Sequence, residues 1–85
     1  MRTDRNIDAL KEYLASLDCG VKPSVHVNDD RRVPLVVDFG TPLTPVKLTQ
    51  EQEDTIYEKM YAYVGRNYKA QHDPNNGIYW MMLNS

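Results

Sequence analysis

The sequence predicts an α+β domain of two layers, an αββαβ chain whose three-stranded, mostly antiparallel sheet carries two helices. Three observations predict it. Residues 48–70 form a long amphipathic pattern with a marked start. Residues 24–28 and 32–39 alternate between apolar and polar on either side of a polar break. The run 78–83, IYWMML, is apolar and aromatic throughout.

The 48–70 stretch is the organising element. Thr49 suits an N-cap, because its hydroxyl can accept from the free N–H groups of the first turn. Gln52 stands three residues on, which completes a capping box. Glu51, Glu53 and Asp54 load the first turns with negative charge, while Arg66 and Lys69 load the end with positive charge. Both choices suit the helix dipole. At 100° per residue, Ile56, Tyr57, Met60, Tyr61, Tyr63, Val64 and Tyr68 share one broad arc. Ile56, Met60 and Val64 form its middle and are assigned to the core. Tyr57, Tyr61 and Tyr68 line one flank, where a ring can be buried while its hydroxyl stays wet. Gly65 costs about 1 kcal/mol against alanine inside a helix. Tyr68 keeps the phase, so the helix is expected to run at least a turn beyond Gly65.

The other elements follow in chain order. Residues 3–17 form a second helix: Ile7, Leu10, Leu14 and Leu17 recur at helical spacing, with Tyr13 beside them. Thr3 or Asp4 caps its start, Gly20 ends it, and Asp8 and Lys11 can pair on the wet side. The strand at 24–28 places Val25 and Val27 on one face. The strand at 32–39 places Val33, Leu35, Val37 and Phe39 together, with Pro34, Val36 and Asp38 opposite. The Asp29-Asp30-Arg31 break makes the pair a β-hairpin. Pro34 removes a ladder donor and belongs at an edge or at a strand's beginning. Pro42 and Pro45 stiffen the connector at 40–47. Their PxxP spacing is that of an SH3 ligand, but a short linker inside a small domain explains it better. Asp73-Pro74-Asn75-Asn76-Gly77 is a dense turn signal before the last strand. In a three-stranded sheet that strand must be an edge, reached by a helical crossover that is right-handed if the strand runs parallel to its neighbour. The expected core is Ile7, Leu10, Leu14, Leu17, Val25, Val27, Leu35, Val37, Phe39, Ile56, Met60, Val64 and Trp80.

Composition narrows the function classes. A chain of 85 residues is a single domain, 1–85, and buries only about 60–65% of its unfolded surface, so each large apolar residue counts. Ten basic against twelve acidic residues leave a net charge of −2, which disfavours a dedicated nucleic-acid binder. The single cysteine, Cys19, excludes an intramolecular disulfide and a cysteine-built zinc site. No apolar run has membrane-spanning length and MRTDRNID is no signal peptide, so a cytoplasmic location is expected.

No residue set rises to a catalytic assignment. Cys19 falls at the C-terminal end of the first helix, where the dipole disfavours a thiolate. His26, Asp29, Asp30, His72 and Asp73 lack a recognised metal-ligand spacing. Asp38-Phe39-Gly40 matches the magnesium triplet of kinases without the phosphate loop or the length that a kinase needs. Arg31 and Arg32 could touch phosphate, but Asp29 and Asp30 offset them locally. The expectation is therefore no catalytic residue, no cofactor and no metal. By elimination the chain reads as a non-enzymatic protein-binding module, of the size of small inhibitors, such as virus-encoded ones, that occupy a partner's surface. A nucleic-acid-binding protein is the alternative and a small hydrolase is less favoured. The expected partner-binding residues are Tyr57, Tyr61, Tyr68, Tyr79 and Met81. Exposed apolar edges pair with other chains, so homodimerisation through the C-terminal strand is a further expectation.

Overall fold

A computed structural model describes residues 4–17, 20–43, 46 and 48–84, with the side chains of residues 4 and 5 excepted. Thr3, Cys19 and Pro45, and the readings attached to them, lie outside the described residues. The element order is α1 (Asp4–Ser16), β1 (Ser24–Val27), β2 (Leu35–Asp38), α2 (Gln50–Val64), β3 (Tyr68–Asp73) and β4 (Ile78–Leu83). The α+β class and two-layer arrangement are as expected, with one strand more than the sequence indicated. The sheet has four strands in the order β1-β2-β4-β3, and each neighbouring pair is antiparallel.

The start of α2 follows its sequence signal. The Thr49 hydroxyl accepts from the Gln52 N–H at 3.1 Å, and the Gln52 side chain accepts from the Thr49 N–H at 2.9 Å. Its end does not follow the expectation. Gly65 adopts φ 93° and donates its N–H to the Tyr61 carbonyl, closing the helix at Val64. Few non-glycine residues tolerate that φ. Tyr68 therefore opens a strand instead of extending the helix, and Arg66 and Lys69 lie beyond the helix end. The Asp73–Gly77 turn joins two strands: the Asp73 carbonyl accepts from both Asn76 and Gly77 N–H groups.

That extra strand moves β4 from the edge to the interior. It pairs antiparallel with β2 on one side and β3 on the other, so the expected exposed edge is absent; the helical crossover is present, but α2 carries the chain from β2 to β3, its parallel strand on the far side of β4, and not to β4 itself. Both backbone ladders of β4 are occupied, so β4 has no free edge for pairing with a second copy of the chain. The β1–β2 hairpin forms as expected, with Val27 opposite Leu35. Pro34 sits just before β2, and its carbonyl accepts from the Asn28 N–H at 2.9 Å.

Both helices pack on one face. Ile7, Leu10 and Leu14 of α1 join Ile56, Met60, Tyr63 and Val64 of α2 over Leu35, Val37, Tyr79 and Met81 of the sheet. Leu17 and Val25 are only partly buried, and Val27 is 50% exposed because β1 ends there at the sheet's edge. The expected placement of Trp80 is reversed. Tyr79 and Met81 are fully buried, while Trp80 faces away from the helices. Strand alternation forces the choice, and pairing with β2 sets it: Met81 lies opposite Leu35 and Tyr79 opposite Val37, the two buried residues of that strand. Asp8 and Lys11 make no ion pair with each other. Asp38 instead serves its own turn, with its carboxylate accepting from the Gly40 N–H at 2.8 Å.

Candidate functional site

The helix-free face of the sheet is the candidate surface. In the register of the three ladders, His26, Val36, Trp80 and Gln71 form one row across all four strands. Ser24, Asp38, Ile78 and Asp73 form the next row. Met82 lies opposite Lys69 on the other side of Trp80. The centre of this face is therefore Val36, Ile78, Trp80 and Met82, rimmed by polar and charged side chains. Met82 is 44% exposed, and the other three are partly exposed. Large apolar side chains grouped on an uncovered, rigid sheet are the composition of an interface centre, with a polar rim around it.

The residues expected from the sequence fall elsewhere. Tyr57 and Tyr61 do come together, on the flank of α2 that overhangs β3. The Tyr61 hydroxyl accepts from the Ala70 N–H at 3.1 Å, and the Tyr57 hydroxyl lies 3.2 Å from His72 Nδ1. Tyr61 remains 37% exposed. Tyr68 is buried, and its hydroxyl donates to the Arg31 carbonyl at 3.0 Å. Tyr79 and Met81 are inaccessible, so neither can touch a partner in the folded state.

Tyr79 instead anchors an aromatic cluster. Its ring meets Phe39 at 5.7 Å, Tyr57 edge-on at 5.4 Å and the His72 ring, stacked, at 5.6 Å. Its hydroxyl donates to Glu53 Oε2 at 2.7 Å. Burial first, then the hydrogen bond and charge of Glu53, push the Tyr79 phenol well above its ordinary value. Burial, then the charges of Glu53 and Asp54, push Tyr57 up to about 12. A phenol held neutral in this way is a structural donor, not a base or nucleophile at neutral pH. Asp73 is lowered, chiefly by the hydrogen bond from the Asn76 side chain.

Among the described residues, no three His, Cys, Asp or Glu side chains converge on a position that could hold a metal ion. Nor is any helix among them long and apolar enough to cross a membrane. The Trp80 face was missed because the run 78–83 is apolar on both faces, so its own pattern cannot say which face meets the helices. The signal that could have found it was the DPNNG turn, which fits a hairpin between two strands as well as a link from a helix.

No protein-family model, no curated protein and no solved structure matches the chain.

Proposed function

We propose that the chain is a non-enzymatic, cytoplasmic protein-binding module that acts by occupying the surface of a partner protein, as an inhibitor does. Contact is made through the open face of the sheet. One observation carries this reading: Val36, Ile78, Trp80 and Met82 form a continuous apolar patch on the side of the sheet that the helices leave bare. Tryptophan is among the residues that most often dominate binding energy, and here it lies at the centre of the patch. Its strand is held by ladders on both sides, so little conformational entropy is lost when a partner docks.

The test compares the wild-type chain with Met82→Glu and Val36→Lys in quantitative pull-downs from its native source, followed by direct binding to the proteins recovered. Each variant should lose at least about tenfold in affinity, the effect of about 1.4 kcal/mol. Melting temperature should stay within a few degrees, because neither side chain belongs to the core. Retention of the same partners at the same affinity by both variants refutes the reading.

A further inference from the structure

We infer that the outer edge of β1, with the cleft between β1 and α1, binds an extended peptide carrying an acidic side chain, by strand addition. This surface is separate from the Trp80 face, and the inference stands without that reading.

The ladder shows which backbone groups are free. The Asn28 N–H bonds the Pro34 carbonyl, so residues 28 and 34 form a hydrogen-bonded pair. Such pairs alternate along an antiparallel ladder. The register then makes His26 and Ser24 the residues bonded to β2, and turns the N–H and C=O groups of Val25 and Val27 outward. No strand pairs there, because β1 lies at the end of the sheet. The opposite edge is treated differently: the Tyr61 hydroxyl occupies the Ala70 N–H of β3. One edge is covered by a side chain from α2, and the other offers its ladder.

Beside the open edge lies a cleft of about 330 Å³ lined by Lys11 and Ala15 of α1 and by Lys22, Pro23 and Val25. Val25 points to the helix side of the sheet. Cross-strand neighbours share a face, so the residue of an added strand opposite Val25 points into this same cleft. It would meet the apolar surface of Ala15, Pro23 and Val25, and two ammonium groups. Lys11 and Lys22 are exposed, and the ammonium group of neither forms an ion pair or hydrogen bond with another described residue. No acidic side chain lines the cleft among the described residues. Two ammonium groups that no acidic side chain among the described residues pairs with, next to an unpaired ladder, select a carboxylate-bearing side chain on an extended backbone.

The probe is a capped heptapeptide, STVEVTS, with STVKVTS as control, titrated into the labelled full chain by NMR with amide hydrogen exchange at saturation. STVEVTS should slow exchange of the Val25 and Val27 amides at least tenfold, and STVKVTS should not. Charge reversal by Lys11→Glu with Lys22→Glu should weaken STVEVTS at least tenfold and create binding of STVKVTS. Lys22→Ala alone, which leaves α1 untouched, should weaken it severalfold. Met82→Glu should bind STVEVTS as the wild type does, which separates failure here from failure of the Trp80 face. Protection on β3 instead, equal binding of both peptides, or displacement by a single-stranded oligonucleotide would each overturn the inference.

Discussion

Exchanging one methionine for alanine at each of two adjacent positions tests the phase of β4, on which the placement of the Trp80 surface depends. Met81 is fully buried, between Leu35 and Ala70 in the neighbouring strands, whereas Met82 is 44% exposed on the open face. Met81→Ala removes Cγ, Sδ and Cε from the core. At about 0.8 kcal/mol per buried methylene-sized group, the lost transfer term is about 2.4 kcal/mol. The cavity left behind brings the total into the range of about 2–5 kcal/mol. Met82→Ala removes atoms already half in water, and should change stability by no more than about 0.5 kcal/mol. A domain of this size loses about 4–8 °C of melting temperature per kcal/mol. Met81→Ala should therefore melt at least about 8 °C lower, and Met82→Ala within about 4 °C of wild type. Thermal unfolding followed by far-ultraviolet circular dichroism, with urea midpoints as a second measure, gives both shifts. Equal losses at the two positions, or a larger loss at Met82, would mean that the strand presents its other face to the helices, and the Trp80 surface would go with it.

Two further outcomes follow from local geometry. Gly77 adopts φ +66°, and a Cβ there would collide with the Thr41 carbonyl oxygen; Gly77→Ala should cost at least about 1–2 kcal/mol from the backbone alone, and an unchanged urea midpoint would contradict the turn. Tyr57 and Tyr79 have phenols raised in the folded state above the unfolded value near 10, so the stability they contribute is complete below that pH and is lost as pH rises through their folded values; a tyrosinate absorbance titration should show two of the phenols ionising late and together with alkaline unfolding, and simple titration of every tyrosine near pH 10 in a folded chain would refute the cluster around Tyr79.

Much of the fold was legible because its signals are local. The capping box at Thr49 and Gln52 needs only four residues to announce a helix start. The Ile7, Leu10 and Leu14 stripe announces a buried helix face, and the alternation around Val25 and Leu35 announces a hairpin. The strand β3 was hidden because its residues carry a plausible helical reading. Tyr68 keeps the phase of Ile56 and Met60, and Lys69, Ala70 and Gln71 are good helix formers. Gly65 was visible, but its cost of about 1 kcal/mol inside a helix does not by itself require termination. Only the pairing of Tyr68–Asp73 with β4 makes the strand the better state, and pairing is a long-range property. The candidate site was lost at the same step. Without β3, the run at 78–83 becomes an edge, and the largest side chain, Trp80, is assigned to the core. On the helix side Tyr79 instead donates to Glu53 and meets three rings, of which β3 supplies His72.

The edge and the open face of the sheet also differ in what each can contribute to binding. β1 has four residues, of which only Val25 and Val27 turn their backbone outward. An added strand can therefore make at most about four ladder hydrogen bonds, each with a net worth of about 0.5–1.5 kcal/mol. Ordering a short peptide costs about 1–2 kcal/mol for each residue fixed, which nearly offsets them. Backbone pairing alone thus leaves association weak, and discrimination must come from the one side chain that reaches Lys11 and Lys22. The open face has the opposite character. It is wider, spanning four strands, and its apolar centre sits on strands already held in place, so docking there orders little. On the two readings proposed above, the Trp80 face would hold a lasting complex and β1 a brief, charge-selective contact. Higher salt should accordingly weaken the peptide contact much more than the protein contact, because only the former depends on exposed charges that ions screen.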